Sequence, residues 1–98
     1  MNNVSLVVDG MLSGTGIRNA HEGGYIEPNE IGVSAALCEE ISSWLERYED
    51  AHFHQYEDAE INQSLDKEGI EIAVKLRSEI PNATISYFSS AELQEMPV

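Results

Sequence analysis

The clearest hydrophobic pattern in the chain lies between Gly32 and Asp58. From Ser34 onward, Leu37, Ile41, Trp44, Leu45 and Tyr48 recur at the spacing of one helix face. Val33 sits just ahead, and the Ser34 hydroxyl can take a backbone N–H that the first turn leaves unpaired. Glu39, Glu40, Ser43, Glu46, Arg47, Glu49 and Asp50 occupy the other face. The pattern predicts a helix from Ser34 to about Asp50. A second helix is predicted over Ile61–Ile80, with Leu65, Gly69, Ile72, Ala73, Leu76 and Ile80 as its apolar stripe. Lys67, Glu68, Glu71, Lys75 and Glu79 fall outside that stripe. Ser64 or Asp66 is placed to cap the first turn, Glu71 and Lys75 are spaced to pair, and Pro81-Asn82 ends the helix.

Strand signals flank the two helices. Val4-Ser5-Leu6-Val7-Val8 is β-branched and closed by the turn signal Asp9-Gly10, and Thr84-Ile85-Ser86-Tyr87-Phe88 alternates. Tyr25-Ile26-Glu27 reads as a short edge strand. The stretch 10–24 holds five glycines and no helical period, which predicts a packed Ω-type loop. The tail from Ser89 either frays or adds one turn at Ala91–Glu95. The expected fold is α/β: a small sheet of two main, adjacent strands plus a short edge strand, with both amphipathic helices packed on one face.

Composition narrows the class. The 98 residues fit one domain, 1–98, and 42% are apolar, enough for a core. Cys38 is the one cysteine and cannot form an internal disulfide, which points to a reducing compartment. No apolar run reaches the roughly 18–20 residues of a membrane span, and the N-terminus lacks a signal-peptide pattern. A cytoplasmic protein is expected. There are 18 acids against 5 bases, a formal charge of −13, which repels nucleic-acid phosphates and anionic membranes and favours a basic partner.

The candidate chemistry is sparse. The glycine-rich loop follows a strand but lacks the Lys-Ser/Thr ending of a phosphate loop, and its glycines miss the dinucleotide spacing. Arg18 is its one anion contact, so a small ligand- or anion-binding domain built on loop 10–24 stands as the alternative function. His52 and His54, with Glu49, Asp50, Glu57 and Asp58, are metal-capable but match no metal spacing, so neither a metal nor another cofactor is expected. Ser13 and Thr15 have His21 nearby, which does not make a triad, and no enzymatic activity is expected. The acid-rich stretch is the stronger signal. From Glu39 to Glu60 there are eight acids and one base, Arg47. Glu46, Glu49, Asp50, Phe53, Tyr56, Glu57 and Asp58 form the candidate partner-binding set, aromatic anchors among carboxylates suited to a basic protein surface. Alternatively, Tyr48 and Phe53 belong to the core and the acids only solvate the outer face.

Several segments together resemble a known class. They are Val8-Asp9-Gly10-Met11-Leu12-Ser13-Gly14-Thr15-Gly16-Ile17-Arg18, Trp44-Leu45 with Tyr48-Glu49, Leu65-Asp66-Lys67-Glu68-Gly69-Ile70, and Tyr87-Phe88-Ser89. In overall character the chain resembles small bacterial immunity proteins of contact-dependent inhibition and related polymorphic toxin systems. That resemblance implies a cytoplasmic, non-catalytic inhibitor that binds one cognate toxin domain, often a nuclease, and blocks its active site or substrate cleft. Such proteins share no universal motif, so no individual binding residue is carried over. Oligomeric state is left open.

Overall fold

The computed structural model describes residues 4–10, 14–89 and 94–98. Four strands and two helices follow one another as β1 (Val4–Asp9), β2 (Ile17–Asn19), α1 (Ala35–Phe53), α2 (Ala59–Glu79), β3 (Ala83–Ser89) and β4 (Gln94–Pro97), with a short 3₁₀ turn at Pro28–Ile31. The sheet order is β2-β1-β3-β4. β1 and β3 run parallel through the centre, with Leu6 opposite Ile85 and Val8 opposite Tyr87. β2 and β4 add antiparallel edges. The two helices make the crossover that a parallel pair requires.

The fold is α/β as expected, with the two main strands adjacent, but the sheet has two further strands. Residues 17–19, read as part of an Ω-type loop, form β2 by pairing with Leu6, Val7 and Val8. The expected edge strand at Tyr25–Glu27 reduces to a single bridge between Arg18 and Tyr25. The turn expected at Ala91–Glu95 falls partly on residues outside those described, and Gln94–Pro97 is strand β4.

Side-chain alternation assigns the faces. Leu6, Val8, Ile17, Ile85 and Tyr87 point toward the helices and join Leu37, Ile41, Trp44, Tyr48, Leu65, Ile72, Ala73 and Leu76 in one core cluster. Trp44 is fully buried, and its indole N–H donates to the Leu65 carbonyl at 2.9 Å. Gly69 permits this packing, because a Cβ there would run into the Tyr87 ring and come within 2.9 Å of Trp44 Cζ2. Asp66 belongs to the same interface rather than to a cap. Its buried carboxylate accepts from the Tyr87 hydroxyl at 2.6 Å and the Ser89 hydroxyl at 2.8 Å. Burial and that carboxylate push the Tyr87 phenol far above its ordinary range.

Ser34 caps α1 as expected, accepting the Leu37 N–H. The cap of α2 is Asp58, whose carboxylate accepts from the Glu60 and Ile61 N–H groups, so the helix starts earlier than Ser64 or Asp66 would place it. Lys75 reaches across to Glu40 at 2.7 Å instead of pairing with Glu71 along its own helix. Two more links close the outer seam between the helices. Arg47 holds Glu68 through two parallel hydrogen bonds, and Glu79 accepts from the Ser34 backbone N–H and hydroxyl.

Candidate functional site: the α1–α2 tip

The expected partner-binding residues lie on the last three turns of α1, the connecting turn and the start of α2. Helix phase decides their exposure. Tyr48 lies on the buried stripe, and at about 100° per residue Phe53 is rotated by about 140° from it. Accordingly Tyr48 is 1% exposed and Phe53 is 67% exposed. The two aromatics, read together either as core or as contact surface, therefore divide. Tyr48 belongs to the core and Phe53 to the surface.

The turn itself is a Schellman-type stop. The Tyr56 N–H donates to the Ala51 carbonyl and the Gln55 N–H to the His52 carbonyl, both at 2.9 Å. This geometry needs a left-handed residue after the cap, a place usually taken by glycine. Here Gln55 adopts φ +56° and Tyr56 φ +54°. Tyr56 holds its conformation through its ring, which packs edge-on against Tyr48 and His52. The chain then reaches Asp58 and enters α2.

Glu46, Glu49, Asp50, Glu57 and Asp58 are all exposed, and Tyr56 is half-buried. From Glu46 to Glu60 there are six acids, and the one Lys or Arg, Arg47, has its guanidinium turned to Glu68. The tip is thus a field of carboxylates with little cationic compensation. His54 supplies some: its Nδ1 meets the Asp50 carbonyl at 2.8 Å, and its pKa is raised by that contact and by the Asp50 charge. His52 lies against the Tyr56 hydroxyl at 3.3 Å. Among the described residues no three His, Cys, Asp or Glu side chains converge as a metal site.

A cavity of about 260 Å³ opens between the end of α1 and the start of α2. It brings together Asp50, Tyr56, Glu57 and Asp58 of the expected set, while Glu46, Glu49 and Phe53 stand outside it. Ala51, His54, Ile61 and Asn62 complete the lining; sequence reasoning singled out only His54 of these, as a metal-capable group, and placed none of the four in the partner-binding set. Ile61 is in phase with Leu65 and so reads as core, yet on the first turn of α2 it is 50% exposed. The Asn62 amide donates to the Tyr56 carbonyl at 2.8 Å, and its Oδ1 is buried without a hydrogen-bond partner among the described residues.

The glycine-rich loop offers a different environment. Arg18 Nε is bound to Asp9 at 2.9 Å, and the Tyr25 hydroxyl donates to the other Asp9 oxygen at 3.0 Å. Asp9 alternates with Val8 along β1, so this cluster sits on the sheet face away from the helices, and the Asp9 carboxylate is 1% exposed. Burial first, then Asp9, lifts the Tyr25 phenol to about 12. Arg18 is therefore committed to an internal carboxylate. The Thr15 hydroxyl donates to the Ile26 carbonyl at 2.6 Å, His21 is exposed in a turn, and Ser13 lies outside the described residues. No helix among the described residues is long and apolar enough to cross a membrane.

Compared with known proteins, the chain matches no protein-family model, no curated protein sequence and no solved structure.

Proposed function

We propose that this chain is a non-catalytic, immunity-type inhibitor that binds a basic protein domain, a toxin nuclease by the resemblance stated above, through the α1–α2 tip. The observation that carries the reading is Phe53, a large apolar side chain 67% exposed among carboxylates that no Lys or Arg of the tip balances. Exposed aromatics give an interface its few strong contacts, and surrounding charge of one sign steers an oppositely charged partner into place. A net charge of −13 extends the same attraction over the whole molecule. The occupied surface would be the cationic cleft that a nuclease uses for its phosphate substrate. A ligand-binding role for loop 10–24 draws less support, because Asp9 already neutralises Arg18.

The test is affinity capture of the tagged chain from the cells that encode it, followed by kinetics on the captured partner. A basic domain retained one-to-one is expected. Reversing Glu49, Asp50 and Glu57 to lysine is expected to slow association and flatten its dependence on salt, with Asp58 kept because it caps α2. Association unchanged by that variant would place the interface elsewhere.

A further inference from the structure

We infer that the turn at 54–58 is a hinge through which the chain exchanges α2, β3 and β4 with a second copy of itself. In the exchanged form α1 and α2 of each chain run on as one helix. Backbone strain is the first ground. Gln55 and Tyr56 are consecutive non-glycine residues in the left-handed region, at φ +56° and +54°. Straightening the turn into helix removes that strain from both chains. Sequence is the second ground. From Ala35 to Glu79 there is no proline, and the one glycine, Gly69, lies well inside α2, so no helix breaker separates the two helices.

Register is the third. The buried positions Leu37, Ile41, Trp44, Tyr48 and Ala51 of α1 and Leu65, Gly69, Ile72 and Leu76 of α2 fit one run of alternating four- and three-residue steps. Gln55, Asp58 and Asn62 fill the interval. In a continuous helix the two stripes therefore lie along one side. Each α1 can then pack with the other chain's α2, over β1 and β2 of its own chain and β3 and β4 of the other. Contacts between the halves, such as Leu6 opposite Ile85 and the Trp44 bond to the Leu65 carbonyl, form again between chains. Only this chain supplies the missing half, and the product is a closed, symmetric dimer. Charge opposes it. The acids of residues 46–60 from both copies come together where the long helices cross, and each chain carries −13. Salt screens that repulsion, so exchange is expected to grow with ionic strength. Opening the turn also dissolves the tip, so the exchanged form lacks the face proposed above for a partner.

The test is to refold the full chain at high protein concentration in about 1 M salt, where charges are screened within about 3 Å. Size-exclusion chromatography with light scattering then separates monomer from dimer, and a dimer is expected. In a dimer refolded from equal parts of ¹³C-labelled and unlabelled chain, isotope-filtered NMR should place the Leu6–Ile85 contact between chains. Gln55→Gly is at ease in the left-handed turn and poor in a helix, and should lower the dimer association constant about fivefold or more. Gln55→Ile tolerates a helix better than a left-handed turn, and should raise it. A chain that stays monomeric both as wild type and as Gln55→Ile overturns the inference. So does a dimer whose Leu6–Ile85 contact stays within one chain, or one that the two substitutions do not move in opposite directions.

Discussion

Two stretches of the same helix pair are built on opposite terms. Along the seam, α1 and α2 bury Trp44, Ile41, Ile72 and Leu76, and the polar groups above them are matched in pairs: Arg47 with Glu68, Lys75 with Glu40, Ser34 with Glu79. At the tip, within a few turns, Phe53 and Ile61 face solvent and the carboxylates outnumber their cations. A protein of this size has roughly 5–15 kcal/mol of net stability and gains nothing for its fold by exposing an aromatic ring. The difference teaches where to look for each property: the seam holds the structure, and the tip is the surface on which the proposed partner contact rests.

Trp44 in the seam and Phe53 at the tip test this contrast, Trp44 with the largest effect. Trp44→Ala removes a fully buried ring and its hydrogen bond to Leu65, and is expected to cost about 3–5 kcal/mol. Urea denaturation reads this directly, and a cost below about 1 kcal/mol would mean the seam is not the core it is taken to be. Next in size is the turn. Gln55 sits at φ +56° where glycine is at ease, so Gln55→Gly is expected to stabilise by about 0.5–1 kcal/mol. In thermal unfolding that is a rise of a few degrees; a fall would show that the glutamine side chain contributes contacts that outweigh its backbone strain.

Phe53→Ser follows, with a stability change expected to stay within about 0.5 kcal/mol because the ring is mostly in solvent. A large loss would return Phe53 to the core and remove the basis for the interface. The smallest effect belongs to His54. Its folded pKa is raised above 6.5 by the Asp50 carbonyl and then by the Asp50 charge. A raised value means that the folded chain holds the proton more tightly, so the contribution is complete below about pH 6.5 and fades as pH climbs through the folded value. The melting-temperature gap between the wild type and His54→Gln should shrink over that rise. A gap that widens with pH reverses the sign and the assignment.

Much of the frame was legible because it rests on local signals. The stripes of both helices, the Ser34 cap, the stop at Pro81 and the β-branched β1 and β3 each follow from spacing or side-chain shape. β2 and β4 carry no such signal. Ile17–Asn19 lies among glycines and becomes a strand because Leu6, Val7 and Val8 offer it a ladder, and Gln94–Pro97 depends on β3 in the same way. Asp66 reads as a surface or cap residue until the Tyr87 and Ser89 hydroxyls are seen to meet it from the sheet. At the tip, the acids and Phe53 were visible, but Phe53 was read together with Tyr48, and their burial is what separates them. The pocket was not, since it depends on how a left-handed turn at Gln55 and Tyr56 brings Asn62 and Ile61 beside the end of α1.

The division between seam and tip is tested most directly by one side-by-side capture with three tagged forms of the chain: wild type, the tip variant Phe53→Ser with Glu57→Lys, and the seam variant Arg47→Ala with Glu68→Ala. The seam pair is exposed, so its removal should cost at most about 1 kcal/mol and leave the tip intact. The expected result is a basic protein retained equally by the wild type and the seam variant and lost from the tip variant. A partner that stays on the tip variant and leaves the seam variant would contradict the assignment of the binding face.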